Sequence, residues 1–254
     1  MSQQIDVMRE IILARNFQTP VGYADLMANH NVQVQIARKM REIGYYYERK
    51  KKGWKNLDED MRGLFPLAMQ HPWARIQKER LSQLVMAIIG DPQTSYLGAD
   101  YIFREKYADV FNEARFNTDY YIVLHLLFKR YVDKVARREG IHHPRYHVLS
   151  LLFKNVRIPK NKMRHARTLL EGKEDKSLLK TTQILFDAST MLVKKLEDET
   201  NTELSYNEVF AKKQGMIRRL KGVIESPSFS KRRKKFLEGI KRFRKRIQSF
   251  REVE

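Results

Sequence analysis

Apolar positions recur at helical spacing in one segment of the chain after another. Val32, Ile36, Met40 and Ile43 line one face of "NVQVQIARKMREIG", which predicts a helix that Gly44 ends as a C-terminal cap. Tyr45 to Glu48, "YYYE", has strand-like aromatic content, and "KKKGW" at Lys50 to Trp54 reads as a basic turn. Leu57 to Trp73, bracketed by Pro66 and Pro72, reads as a loop with short helical turns. A helix is expected from about Arg75 to Ile89, with Leu81, Leu84, Val85 and Ile88 on one face, until Gly90, Asp91 and Pro92 stop it.

Beyond that point the pattern is almost entirely helical. Tyr120, Leu124, Leu127, Tyr131 and Val135 form one apolar stripe over Asp119 to Arg138. A turn is expected around Pro144 in "EGIHHPRYH", followed by a short apolar segment from Val148 to Phe153. Leu178, Leu185 and Leu192 repeat every seven residues and predict a helix from about Lys176 to Glu197, broken by "EDETNTELS". After "ESPSFS", Ser230 is placed to cap a final helix. Its apolar residues Phe229, Phe236, Ile240, Phe243, Ile247 and Phe250 follow at steps of seven, four, three, four and three, one continuous seam. The expected fold is mainly α, a helical domain with a short strand and loop segment near the N-terminus and a basic amphipathic C-terminal helix. Two regions are expected, 1–120 and 121–254, the second either separate or continuous with the first.

Composition narrows the chemistry. A 42% hydrophobic content over 254 residues is enough for a sizeable core, and the absence of cysteine excludes disulfides, thiolate zinc sites and a cysteine nucleophile. The longest apolar run, Tyr120 to Phe128, is far short of the roughly 20 residues that cross a bilayer. With no secretory pattern at "MSQQIDVMREIILARNFQ", a cytoplasmic protein is expected. The formal charge of +20 is unevenly spread, +2 over residues 1–127 and +18 over the remainder. Such a field attracts polyanions, with nucleic acid the first partner to consider and an anionic membrane the second.

Residues 16 to 50 carry a more specific signal. Asn16, Gln18, Pro20 and Val21, then Asp25 and Leu26, Asn29, Gln33, and finally Gly44, Tyr47, Glu48, Arg49 and Lys50 with Gly53 and Trp54 nearby, resemble the motif of the AIPR family, the abortive infection phage resistance proteins. A lysine more than the motif requires stands before Gly53. The resemblance covers about the first 120 residues, with a weaker echo in "LSQLVMAIIGDP" and "ADYIFREKYADVFN". It implies a part in phage defence. In such proteins the motif lies well inside a longer chain, after a nuclease-like region, so the resemblance also implies a C-terminal module, either a fragment or a short relative, with a separately encoded N-terminal nuclease-like protein as a possible partner. Read from the residues alone, the Asn, Gln and Pro form a loop whose amides satisfy backbone groups, and Asp25 is placed to cap the helix that follows.

Three chemistries compete for the remaining residues. Glu48 and Lys50, two apart on a strand, are half of a PD-(D/E)XK nuclease site, with Asp25 as the candidate upstream acid and Mg or Mn as the ion. Cofactors are expected only in that case. His143 and His147 are four apart, but Pro144 lies between them and no glutamate follows His143 as zinc hydrolysis requires, so a turn and a core edge are expected. No phosphate-binding glycine loop or serine-nucleophile motif is present. The strongest signal is the C-terminal helix. Lys231, Arg232, Arg233, Lys234, Lys235, Lys241, Arg242, Arg244, Lys245 and Arg246 give ten basic residues against one acidic over Lys231 to Arg246. Such a helix packs its seam and shows its charge to RNA or DNA phosphates, lies on a membrane, or docks on a partner helix. The first is the expected role: nucleic-acid binding without catalysis, the nuclease and the assembly module being the alternatives.

Overall fold

The computed structural model describes residues 22–112 and 114–249. Asn16, Gln18 and Pro20 of the motif, and Phe250 of the seam, lie outside the described residues. The chain divides into two compact units, and the first takes the residues up to Ser82 together with Gly98–Arg115. The second takes Gln83–Leu97 and the chain from Phe116 onward.

In the first unit, a single turn α1 (Tyr23–Leu26) leads through a 3-10 turn to α2 (Asn31–Arg41). Gly44 follows with φ of +82°, a left-handed conformation that glycine adopts without strain, and turns the chain into β1 (Tyr46–Glu48). Short helices α3 (Glu59–Gly63) and α4 (Pro66–Gln70) occupy the expected loop region. The chain then forms β2 (Arg75–Gln77), paired in parallel with β1, before α5 (Lys78–Ile89) starts. The helix expected from Arg75 therefore begins three residues later. Parallel pairing of Ile76 with Tyr47 captures its first turn, an interaction that no local pattern carries. After Gly98, α6 (Ala99–Glu105) and α7 (Tyr107–Val110) complete the unit. Asp25 does not cap α2. It lies within α1 and sits 3.8 Å from Lys78 Nζ.

The second unit is helical among its described residues. At its centre α8 (Thr118–Leu126) passes through a π-helical segment, Leu127–Val132, into α9 (Asp133–Arg138). Tyr121 to Phe128 are all buried, so the expected single stripe is in fact a helix wrapped on every side. Pro144 stands in the expected turn and is the N-cap residue of α10 (Arg145–Val156), which begins directly after it. Next come α11 (Met163–Glu171), α12 (Lys176–Thr200), α13 (Tyr206–Lys212), α14 (Met216–Glu225) and α15 (Ser230–Ser249). Ser230 is already helical in φ and ψ. The extended residue before the helical chain is Ser226, which a 3-10 turn at Pro227–Phe229 joins to α15.

α15 packs along α12, and Gly239 marks the closest approach. A Cβ there would overlap the Thr181 hydroxyl and lie 3.2 Å from the Ser177 carbonyl oxygen. Gly239→Ala is therefore expected to lower stability by roughly 1–3 kcal/mol through overpacking. At an exposed helical position the same change would add up to about 1 kcal/mol. Urea unfolding of this variant, and of the same variant carrying Thr181→Ala, which should recover part of the loss, checks the contact.

A candidate nucleic-acid interface

The seam of α15 faces the unit's interior, with Phe236, Ile240, Phe243 and Ile247 buried together with Phe229 ahead of the helix. This orientation sends the basic residues outward. Lys231, Arg233, Lys234, Lys235, Lys241, Arg242 and Lys245 are exposed. The other three of the ten hold the helix in place. Arg244 donates to the Val156 carbonyl at 3.1 Å and to that of Asn155. Arg246 pairs with Asp175, and Arg232 lies 3.7 Å from Asp187.

Asp175 is an anchor for two helices at once. Its carboxylate accepts from the amides of Ser177 and Leu178 at 2.8 and 2.9 Å, capping α12, and also takes the Arg246 guanidinium of α15. Its own amide donates to the Tyr131 hydroxyl at 3.1 Å. Burial alone would raise the Asp175 pKa, but the hydrogen bonds from Ser177 and Leu178 and the Arg246 charge outweigh it and hold the carboxyl below its ordinary value.

Further cations extend this surface. Lys154, Arg157 and Lys160 are exposed at and after the end of α10, whose last carbonyls Arg244 grips. Between α9 and α12 a cleft of about 230 Å³ is lined by Lys134, Arg138, Lys176 and Lys180. Sequence reading passed over both groups. The spacing of four between Lys134 and Arg138, and again between Lys176 and Lys180, was the available signal.

The motif residues of the first unit are largely structural. Gln33 is fully buried, accepting from the Tyr47 hydroxyl at 2.6 Å and donating to that of Tyr107 at 3.2 Å, which also contacts His30 Nδ1 at 3.0 Å. Burial pushes the Tyr107 pKa up to about 12, against the bond from Gln33. Arg49 donates to the Ala28 carbonyl at 3.0 Å, and its own carbonyl accepts from Lys78 at 2.6 Å. Lys78 is a buried cation with Glu79 at 3.1 Å. Asn29 is exposed.

The proposed nuclease residues have these places too. Glu48 accepts from the Trp54 amide at 3.3 Å, Asp25 faces Lys78, and Lys50 is exposed. Among the described residues no group of three or more His, Cys, Asp or Glu side chains could hold a metal ion. His147 is buried in the second unit, where burial lowers its pKa, and its Nε2 donates to the Phe210 carbonyl at 2.7 Å. His143 is half-buried near the start of α10. No helix among the described residues is long and apolar enough to cross a membrane.

No curated protein and no solved structure matches the chain. The family model described as AIPR protein matches residues 1–238, reaching through the second unit well beyond the motif region. This chain therefore belongs to the AIPR family, proteins associated with phage resistance by abortive infection.

Proposed function

We propose that this AIPR protein serves phage defence by binding RNA or DNA through the basic face of α15 and the cations beside it, supplying binding rather than bond cleavage. The observation that carries this reading is the fixed orientation of α15. Its apolar seam is buried in its own unit, so nine exposed Lys and Arg side chains, all of the ten but Arg244, stand on one helix. Such an array neutralises phosphates with little ordering cost. The same burial weighs against the membrane reading, because a helix lies on a bilayer by inserting its apolar face. Of the large apolar side chains on α15, only Leu237 is exposed.

Binding is expected to depend steeply on salt and little on sequence. Lys234→Glu with Lys241→Glu and Lys245→Glu should weaken binding to duplex DNA or RNA at least about tenfold and make the slope of log K against log salt shallower by about 3. The melting temperature should hold, since these side chains are exposed. Fluorescence anisotropy with labelled duplexes from low to moderate salt makes the measurement. An affinity that does not change with salt rejects the reading, and so does one untouched by the triple substitution.

A further inference from the structure

A cleft of about 450 Å³ opens in the first unit between α2, β1 and the turn that follows it. Every charged side chain that lines it is basic: Arg38, Arg41, Arg49 and Lys50. That bias is local, since the N-terminal half of the chain is close to neutral. Arg49 is held by its bond to the Ala28 carbonyl. Arg38, Arg41 and Lys50 are exposed and pair with no carboxylate among the described residues. Their charge is free to meet a ligand.

The apolar wall of the cleft is aromatic. Tyr46 and Phe65 line it, their rings 5.0 Å apart at 87°, and Trp54 supports Tyr46 edge-on at 5.1 Å. The face of Trp54 is covered by the Arg75 guanidinium at 4.3 Å, which fixes the cluster from behind. Gly53 also lines the cleft, and a Cβ there would overlap the Tyr46 hydroxyl, so the glycine leaves that ring its place.

A larger groove of about 850 Å³ runs between α12 and α14, but its rim mixes Lys194, Lys195 and Arg219 with Asp198 and Glu199 and selects no ligand charge. The cleft in the first unit does. Unpaired cations beside aromatic rings, within a volume suited to a small ligand, match a group that is anionic at one end and flat at the other. We propose that this cleft binds a nucleotide, with its phosphate on Arg38, Arg41 and Lys50 and its base against Tyr46 and Phe65. The nucleotide is either free or one unit of a single strand. The site shares no residue with the basic face of α15, so each stands or falls alone.

Trp54 provides the reporter. With Trp73→Phe it is the one tryptophan of the chain, and Lys234→Glu, Lys241→Glu and Lys245→Glu in the same background remove the α15 contribution. Titration of this full-length variant with dTMP, and separately with 5′-phosphorylated hexadeoxythymidylate, is expected to quench Trp54 fluorescence saturably. Arg38→Glu with Arg41→Glu should weaken binding at least about tenfold, and Tyr46→Leu at least about fivefold. Equal affinity for both probes identifies a free nucleotide, and tighter binding of the hexamer identifies a strand. Cations near the end of α2 also favour its dipole, so thermal melts accompany each variant, and Lys50→Ala, outside the helix, serves as the second substitution. The proposal is overturned if neither probe quenches saturably. It is also overturned if variants that melt like their parent bind as tightly as it does.

Discussion

Phe243→Ala is expected to lower the unfolding free energy by about 3–5 kcal/mol, because truncating a buried phenyl ring loses its transfer energy and leaves a cavity. Phe243 is fully buried in the middle of the α15 seam, flanked one turn away by Ile240 and Ile247. The residues around it belong to helices that cannot close the gap easily, since Gly239 already brings α15 against α12 at van der Waals distance. Against a typical total of about 5–15 kcal/mol, such a loss is visible as a large drop in melting temperature. Thermal melts beside flotation on anionic liposomes give the answer. An unmoved melt with loss of flotation would mean that the seam serves a membrane and not the core.

Asp133→Ala should be comparably severe, about 3–5 kcal/mol, for a different reason. The Asp133 carboxylate is buried and receives three cations: Lys129 at 3.2 Å, Arg137 at 3.1 Å and Arg145 at 3.0 Å. Lys129 and Arg137 come from one helical turn on either side, while Arg145 arrives from the start of α10 and is itself mostly buried. Without the carboxylate, three positive charges face one another and Arg145 loses its counterion inside the protein. Asp133→Asn keeps the shape and removes the charge. If it melts like the parent chain, electrostatics is not what the residue contributes. Guanidinium is unsuited to this comparison because it screens ion pairs, so urea is the denaturant to use.

The helices with a strong one-sided pattern were legible in the sequence. The α15 seam and the seven-residue leucine repeat of α12 each match buried positions, and Gly44 does end the first long helix with a positive φ. What escaped depends on partners distant in sequence. Arg75 to Gln77 pair with a strand some thirty residues earlier, and α8 reads as amphipathic until its neighbours cover both faces. The π-helical segment at Leu127–Val132 left no local mark either. The candidate interface divides in the same way. The run from Lys231 to Arg246 was plain, but that Arg244 and Arg246 are spent on Val156 and Asp175 could not be read from a list of charges. Arg38 and Arg41 carry no local signal, since helix surfaces are commonly basic near their ends, and only the fold sets them beside Tyr46 and Phe65.

The interruption of the first unit by Gln83–Leu97 has a consequence in time. A ribosome delivers the chain in order, so the first unit cannot be completed until Arg115 has emerged, and by then the intervening segment is already outside. Leu84, Val85 and Ala87, buried in the finished protein, belong to the second unit, which is complete only with helices that end near residue 249. At about 5–20 residues per second the second unit is completed on the order of ten seconds after α5 has been made. Half of one helix is thus committed early and the other half late.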